Sequence, residues 1–94
     1  MDSNFSSVPN KRESENNDSG NYSVLILHND DFNSFEFVMK TLEEVCNHSS
    51  TQAEQCAVLT HYKGKCEIMS GALEKMRPIS KTLISRGLTV TIVQ

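Results

Sequence analysis

The sequence predicts a compact α+β domain with the element order β-α-α-β-α-β, in which a small three-stranded antiparallel sheet carries three helices on one face. Two short runs rich in aliphatic and β-branched residues, 22–28 and 89–93, are typical of strands. Between them, apolar side chains recur at helical spacing, separated by capping residues and glycines. Because three strands with both faces in water are not stable, the helices are expected to cover one face.

The first strand, 22–28, leads through a polar turn into the first helix. The residues Asn-Asp-Asp at 29–31 stop the strand, since these residue types favour turns. Apolar side chains then recur with helical periodicity, which predicts a helix over about 34–46. Asn33 followed three residues later by Glu36 resembles a capping box, so Asn33 is the expected N-cap.

A second cap pair opens the next helix. Ser49 with Gln52 three residues later predicts a helix that runs through about Thr60 and is closed by the Lys-Gly pair at 63–64. Residues 65–69 then read as the second strand, which returns the chain to the sheet.

The last two elements are a helix and a β-branched strand. The stretch 73–86 has helical periodicity and is stopped by Gly87. Pro78 lies inside this stretch, where it is expected either to kink the helix or to mark its first turn, because proline has no backbone N–H. The run Thr-Val-Thr-Ile-Val at 89–93 completes the sheet.

Residues 1–21 differ in composition from the rest of the chain. Serine and asparagine dominate this segment, and its sizeable apolar side chains are Met1, Phe5 and Val8. Such a segment cannot bury enough surface to offset the entropy of ordering it. We therefore expect a disordered N-terminal tail over 1–21 and a folded core domain over 22–94.

Composition excludes several classes of protein. No apolar run approaches the roughly 20 residues of a membrane span, and the N-terminal residues lack the features of a secretory signal, so a cytoplasmic location is expected. A net charge of −3 disfavours binding to nucleic acid. Three widely spaced cysteines without an export signal are expected to be free thiols.

Polar side chains and a stripe of small residues point to a binding pocket. The second helix should turn small side chains towards the core: Ala53, Cys56, Ala57 and Thr60. Such a stripe indicates either close helix packing or room for a ligand. The turn at 29–31 and His61 both lie at element ends, where polar groups converge on pocket mouths. Their amide, carboxylate and imidazole acceptors suit a cationic amine, and both explanations of the stripe remain open at this stage.

Three motifs occur in a specific order and spacing: Leu-Ile-Leu-His-Asn-Asp-Asp at 25–31, Phe-Glu-Phe-Val at 35–38 and His-Tyr-Lys-Gly-Lys at 61–65. Together they resemble the ClpS family, adaptors of the bacterial Clp protease, over roughly 22–94. The resemblance implies a small fold related to the C-terminal domain of the ribosomal stalk protein. It also implies a non-enzymatic adaptor, without a cofactor, that delivers proteins bearing N-terminal Leu, Phe, Tyr or Trp to an AAA+ unfoldase of the ClpA type.

The resemblance also implies the residues of the site. Asn29, Asp30 and His61 would bind the free α-amino group of the substrate, with Asp31 beside them in the turn. The pocket for the first side chain would be lined by six residues: Asn33, Phe35, Val38, Ala57, Thr60 and Leu88. The positions of Phe35 and Ala57 are commonly methionine in the family, so one wall is larger here and the other smaller. The ranking of bulky N-terminal residues is therefore expected to differ.

The contact with the unfoldase is implied by two positions on the third helix. Glu74 matches a position that family members use for this contact, whereas Ile79 stands where a lysine is common. The tail at 1–21 matches the flexible arm that the unfoldase engages in the family. Its estimated reach, about 5–6 Å times the square root of its length, suffices to enter a nearby pore.

Two rival interpretations follow from other residues. A zinc site or a cysteine nucleophile would draw on Cys46, His48, Cys56, His61 and Cys66. No Cys-x-x-Cys pair occurs, and two of these cysteines fall on apolar stripes, so neither a metal site nor an enzyme is expected. The alternative function is a protein-docking module on the same fold without specificity for an N-terminal amine.

Overall fold

The computed structural model describes residues 21–94, so the tail expected over 1–21 lies outside the described residues except for Asn21. The described chain forms six elements, in order: β1 (Tyr22–His28), α1 (Phe35–Cys46), α2 (Ser50–Lys63), β2 (Lys65–Ala72), α3 (Leu73–Ser85) and β3 (Thr89–Val93). This order confirms the predicted α+β arrangement.

The sheet is antiparallel throughout, with β1 in the centre and the strand order β2-β1-β3. Leu27 of β1 lies opposite Cys66 of β2 and Val90 of β3, so these side chains meet on the same face. The register shifts between Leu25 and Ile26, where β2 carries an additional residue, a β-bulge that locally increases the twist.

One face of the sheet carries the hydrophobic core. In β1, Leu25 and Leu27 are buried and alternate with partly exposed residues. All three helices contribute buried side chains to the same cluster: Leu42, Cys46, Ala53, Cys56, Met76 and Leu83. The helices therefore cover one face of the sheet, as predicted, because that is how three strands acquire a buried side.

The first helix begins at Phe35, and its N-cap lies one residue later than predicted. Ser34 has extended backbone angles, and its hydroxyl oxygen accepts a hydrogen bond of 3.0 Å from the amide of Phe37. The prediction of Asn33 as the N-cap is therefore wrong. Its side chain makes other hydrogen bonds, described below. The predicted cap of α2 is confirmed, since the Ser49 hydroxyl accepts from the Gln52 amide at 3.1 Å.

Two element bounds also differ from the predictions. β2 extends to Ala72 rather than 69, because its last residues pair with the start of β1 and the Ser23 hydroxyl donates to the Gly71 carbonyl at 3.1 Å. α3 begins at Leu73, so Pro78 lies within its second turn and does not mark its start. Residues 50–63 form α2, three residues longer than expected at its C-terminal end.

Candidate functional site

The turn after β1 is built around the carboxylate of Asp30. Its Oδ1 atom accepts hydrogen bonds from the backbone amides of Phe32 and Asn33, each at 2.8 Å. Its Oδ2 atom accepts a third, also at 2.8 Å, from the side-chain amide of Asn33. An aspartate that binds the amides two and three residues later is a common way to stabilise a turn, so Asp30 holds residues 29–33 in one conformation.

The charge state of Asp30 follows from these contacts. Partial burial raises the pKa of this carboxyl, but the hydrogen bonds from both amides of Asn33 and from the Phe32 amide outweigh that effect. The pKa of Asp30 therefore lies below its ordinary value of 3.8. The neighbouring Asp31 side chain is exposed, and no hydrogen bond from residues 21–94 engages its carboxylate.

The side chain of Asn33 fastens the turn to the distant end of α3. Its Nδ2 atom donates to Asp30 Oδ2 and also to the carbonyl oxygen of Gly87, both at 2.8 Å. Gly87 follows the last turn of α3 with φ of 95°, a left-handed conformation that glycine adopts without strain. These two bonds hold the Asn33 side chain against the turn and the end of α3, while Ser34 caps α1.

A second bond fastens the same turn to the end of α2. Gly64 closes α2 in a left-handed conformation with φ of 93°, and its amide donates to the Thr60 carbonyl at 3.0 Å. The carbonyl of Gly64 in turn accepts from the amide of Asn29 at 2.9 Å. This bond brings the polar turn next to the last turn of α2, which carries His61 and Tyr62. The rings of those two residues meet edge to face, with centroids 5.0 Å apart.

A cleft of about 610 Å³ lies between the turn, α1 and the end of α2. Its lining comprises eleven residues: Asn29, Asp30, Asp31, Asn33, Phe35, Val38, Ala57, Val58, Thr60, His61 and Tyr62. α2 contributes both the floor and the rim. Ala57 and Thr60 are buried, whereas the side chain of Val58 is 37% exposed and that of Tyr62 is 79% exposed. The Thr60 hydroxyl donates to the Cys56 carbonyl at 2.8 Å, so its methyl group is the part of the side chain without a hydrogen bond.

Chemically, this cleft combines an apolar interior with hydrogen-bond acceptors at one end. Phe35, Val38 and Ala57 offer apolar surface, while the acceptors are the Asn29 amide oxygen, the Asp31 carboxylate and the His61 imidazole. A ligand that fits both parts carries a hydrophobic group and a cation close together. Pockets for small ligands commonly measure about 300–1,000 Å³ and have this pattern of few polar groups on apolar walls.

Nine of the predicted site residues lie together on this cleft, which includes all four of the proposed amine ligands. Leu88 is not among the lining residues. It is 3% exposed and belongs to the core cluster. Glu74 and Ile79 lie on α3 away from the cleft lining, Glu74 exposed and Ile79 half-buried.

Two lining residues, Val58 and Tyr62, were not among the predicted site residues. They are four residues apart on α2 and therefore lie on the same side of the helix. Tyr62 belongs to the His-Tyr-Lys-Gly-Lys motif, which was a signal for it in the sequence. Val58 had no such signal, because a valine on the outer side of a helix is ordinary.

The cysteines and the acidic residues form no second site within residues 21–94. In that part of the chain no group of three histidine, cysteine, aspartate or glutamate side chains is placed to hold a metal ion. Cys46, Cys56 and Cys66 are buried free thiols. Burial raises the pKa of Cys46 to about 11. Burial, together with a hydrogen bond in which the Cys66 thiol faces Cys56 as donor, raises the pKa of Cys66 to about 12.

None of the helices within residues 21–94 has both the length and the apolar composition needed to cross a bilayer.

Comparisons with known proteins agree with the fold. A family described as "ATP-dependent Clp protease adaptor protein ClpS" matches residues 17–91. The ATP-dependent Clp protease adapter protein ClpS of Thermosynechococcus vestitus is 34% identical over 71 residues, which cover 74% of each chain. The structure of Agrobacterium tumefaciens ClpS2 bound to L-phenylalaninamide superimposes with a TM-score of 0.66 at 20% identity, covering 78% of this chain and 95% of that one. The chain therefore belongs to the ClpS family, the non-enzymatic adaptor proteins of the ATP-dependent Clp protease.

Proposed function

We propose that the cleft binds the first residue of a substrate protein through its free α-amino group and its side chain. In this proposal the protein selects substrates that begin with Leu, Phe, Tyr or Trp and delivers them to the AAA+ unfoldase of the Clp protease, of the ClpA type. The observation that carries the proposal is the combination of an apolar cleft with amine-compatible acceptors at its polar end.

The two aspartates of the turn have different roles in this proposal. The carboxylate of Asp30 already accepts three hydrogen bonds, so its main contribution is to hold the turn. Asp31 offers an exposed carboxylate on the cleft and is the better source of negative charge for an ammonium group. Asn29 and His61 supply the remaining acceptors. The hydrogen bond from the Asn29 amide to the Gly64 carbonyl brings together the two segments that carry them.

The ligand of the Agrobacterium relative supports this chemistry. L-phenylalaninamide has a free α-amino group, a benzyl side chain and an amide in place of the carboxylate, so it resembles the first residue of a polypeptide. The cleft described above offers apolar walls for such a side chain. Burying a Leu or Phe side chain contributes about 1.5–3 kcal/mol, in addition to charge-assisted hydrogen bonds to the amine.

A titration with two fluorescent peptides tests the proposal. One peptide begins with free Phe, and its twin is N-acetylated at the same residue. Acetylation removes the charge and leaves the acceptors of the site unpaired, so the free peptide is expected to bind at least about tenfold more tightly, the equivalent of about 1.4 kcal/mol. Equal binding of the two peptides would instead favour the docking module without amine specificity.

Variants of α2 refine this test. His61→Ala removes one acceptor for a charged donor and is expected to weaken binding of the free peptide about 10- to 100-fold. Gln55→Ala serves as the control, because Gln55 is an exposed residue of the same helix outside the cleft lining. A His61→Ala protein with wild-type affinity would remove His61 from the site.

Delivery requires a separate measurement. In a reconstituted Clp protease, degradation of a substrate with N-terminal Phe is expected to depend on this protein and on ATP. Glu74→Ala is expected to slow degradation without changing affinity for the Phe peptide, because Glu74 lies on α3 away from the cleft. The cytoplasmic location expected from the sequence stays a prediction, to be tested by cell fractionation.

A further inference from the structure

We propose that the rim formed by Val58 and Tyr62, here called the α2 rim, binds the side chain of the second residue of the substrate and favours an apolar one. This inference rests on the proposed function, because it takes the first residue to be bound in the cleft. It extends that function by assigning a second specificity position to two side chains that were not among the predicted site residues.

The burial of residues along α2 indicates where a bound chain must leave the cleft. Ala57 and Thr60 form a buried floor, 4% and 5% exposed. Val58 and Tyr62 line the same cleft and remain 37% and 79% exposed, so they lie at its mouth. A first side chain bound against the floor leaves the following residues to pass over the rim, because they are joined to it by the peptide chain.

The distance between the His61 and Tyr62 rings is close to the distance between consecutive residues of a peptide. The ring centroids of His61 and Tyr62 are 5.0 Å apart. Consecutive Cα atoms of a peptide lie about 3.8 Å apart. When the α-amine is at His61, the second residue is therefore within reach of the adjacent Tyr62 ring. The two rings meet edge to face, so the side chains of His61 and Tyr62 lie next to each other on α2.

The chemistry of the rim selects for an apolar partner. Val58 and Tyr62 are four residues apart on α2 and present adjacent apolar surfaces. An exposed aromatic ring beside an exposed valine is a surface that gains free energy when it is covered by another apolar group. The rim is continuous with the cleft, whose volume of about 610 Å³ is in the range that holds a drug-sized ligand rather than one side chain alone.

Two peptides that both begin with free Phe test the inference, one with Leu and one with Ser at the second position. In the wild-type protein the Leu peptide is expected to bind about five- to tenfold more tightly, the effect of burying roughly half of a leucine side chain. Tyr62→Ser and Val58→Ser are each expected to reduce the ratio of the two affinities, Leu peptide to Ser peptide, towards one. Tyr62→Phe is expected to keep it, because the apolar ring remains.

Leu59→Ser is the matched control. Leu59 is also an exposed apolar residue of α2, at 44%, but it does not line the cleft. In Leu59→Ser, the ratio of the affinities for the Leu and Ser peptides is therefore expected to stay at its wild-type value. A reduction as large as that of Tyr62→Ser would overturn the inference, since it would indicate a general effect of the helix surface.

The failure of the inference and the failure of the proposed function give different results. If free Phe peptides bind and their acetylated twins do not, while the Leu and Ser peptides bind equally, only the α2 rim is refuted. If acetylation has no effect on binding, the proposed function fails and the assignment of the rim fails with it. A ratio that persists in both Tyr62→Ser and Val58→Ser also overturns the assignment.

Discussion

Replacing each of the neighbouring aspartates by asparagine is expected to separate the stability of the turn from its binding chemistry. In Asp30→Asn, one carboxylate oxygen becomes an NH₂ group, so one of three hydrogen bonds is lost and the other two lose their charge. A bond to a charged group contributes about 1.5–3 kcal/mol when buried. Asp30 is only half-buried, so we take a total loss near the lower end, about 2 kcal/mol.

This loss translates into a measurable shift of the melting temperature. For a domain of 60–100 residues, 1 kcal/mol corresponds to about 4–8 °C, so Asp30→Asn is expected to lower Tm by about 8–16 °C. Asp31→Asn is expected to change the free energy of unfolding by no more than about 0.5 kcal/mol, since no hydrogen bond from residues 21–94 engages that exposed side chain. Circular dichroism during heating at pH 7 measures both shifts.

The pH dependence gives a second check on the same residue. Hydrogen bonds hold the pKa of Asp30 below its ordinary value of 3.8. A lowered pKa stabilises the folded state above the unfolded value and loses that effect as the pH falls through the folded one. The difference in stability between wild type and Asp30→Asn is therefore expected to be full above about pH 5 and to shrink below about pH 4.

In peptide binding the larger effect is expected from Asp31→Asn, whereas in stability the larger effect is expected from Asp30→Asn. At a temperature where both are folded, Asp31→Asn is expected to weaken binding of a free Phe peptide about tenfold or more, because it loses a charged acceptor for the amine. If Asp30→Asn keeps the wild-type Tm, or if Asp31→Asn lowers Tm equally, the division of roles between them is wrong.

Three further changes test other parts of the structure. Gly64→Ala forces a side chain into a left-handed conformation and is expected to cost about 1–2 kcal/mol of stability, measured by thermal unfolding; an unchanged Tm would contradict the cap geometry. Cys46, with a pKa of about 11 instead of 9.0, is expected to react with iodoacetamide at pH 8 about 100-fold more slowly than an ordinary thiol. Mass spectrometry of native and denatured protein measures this rate, and fast modification of the native protein would refute it. Phe35→Met is expected to change the ranking of Phe, Leu, Tyr and Trp peptides, because Phe35 lines the cleft; an unchanged ranking would show that this side chain does not shape specificity.

The sequence predicted those features that depend on neighbouring residues. The cap of α2 by Ser49 is an example, since a serine and the third amide after it are close whenever a helix begins there. The cap of α1 was assigned to Asn33 because its spacing from Glu36 fitted the same rule. The cap is Ser34 instead, and the Asn33 side chain donates to a carbonyl 54 positions away, a contact that local spacing does not reveal.

Features that depend on tertiary contacts were predicted less well. The end of β2 was placed at 69 because the following Ser-Gly-Ala has little strand propensity, yet pairing with β1 extends the strand to Ala72. Val58 was missed for a related reason: helical periodicity identifies it as an outward residue but not as one that faces a cleft. The position of Leu88 in the core shows the converse, since an apolar residue looks the same in the sequence whether it lines a pocket or fills the interior.

The two bonds that fasten the turn at 29–33 also connect the cleft to parts of the chain that are synthesised at different times. One joins Asn29 to Gly64 and the other joins Asn33 to Gly87, so the polar end of the cleft requires segments from both halves of the domain. During synthesis, the turn at 29–33 is made long before Gly87, whose carbonyl accepts the bond from Asn33. A nascent chain therefore lacks one of these two bonds until Gly87 has emerged. Local unfolding that detaches the end of α3 likewise breaks the bond from Asn33 to Gly87 and leaves the turn with its Asp30 bonds and its bond to Gly64.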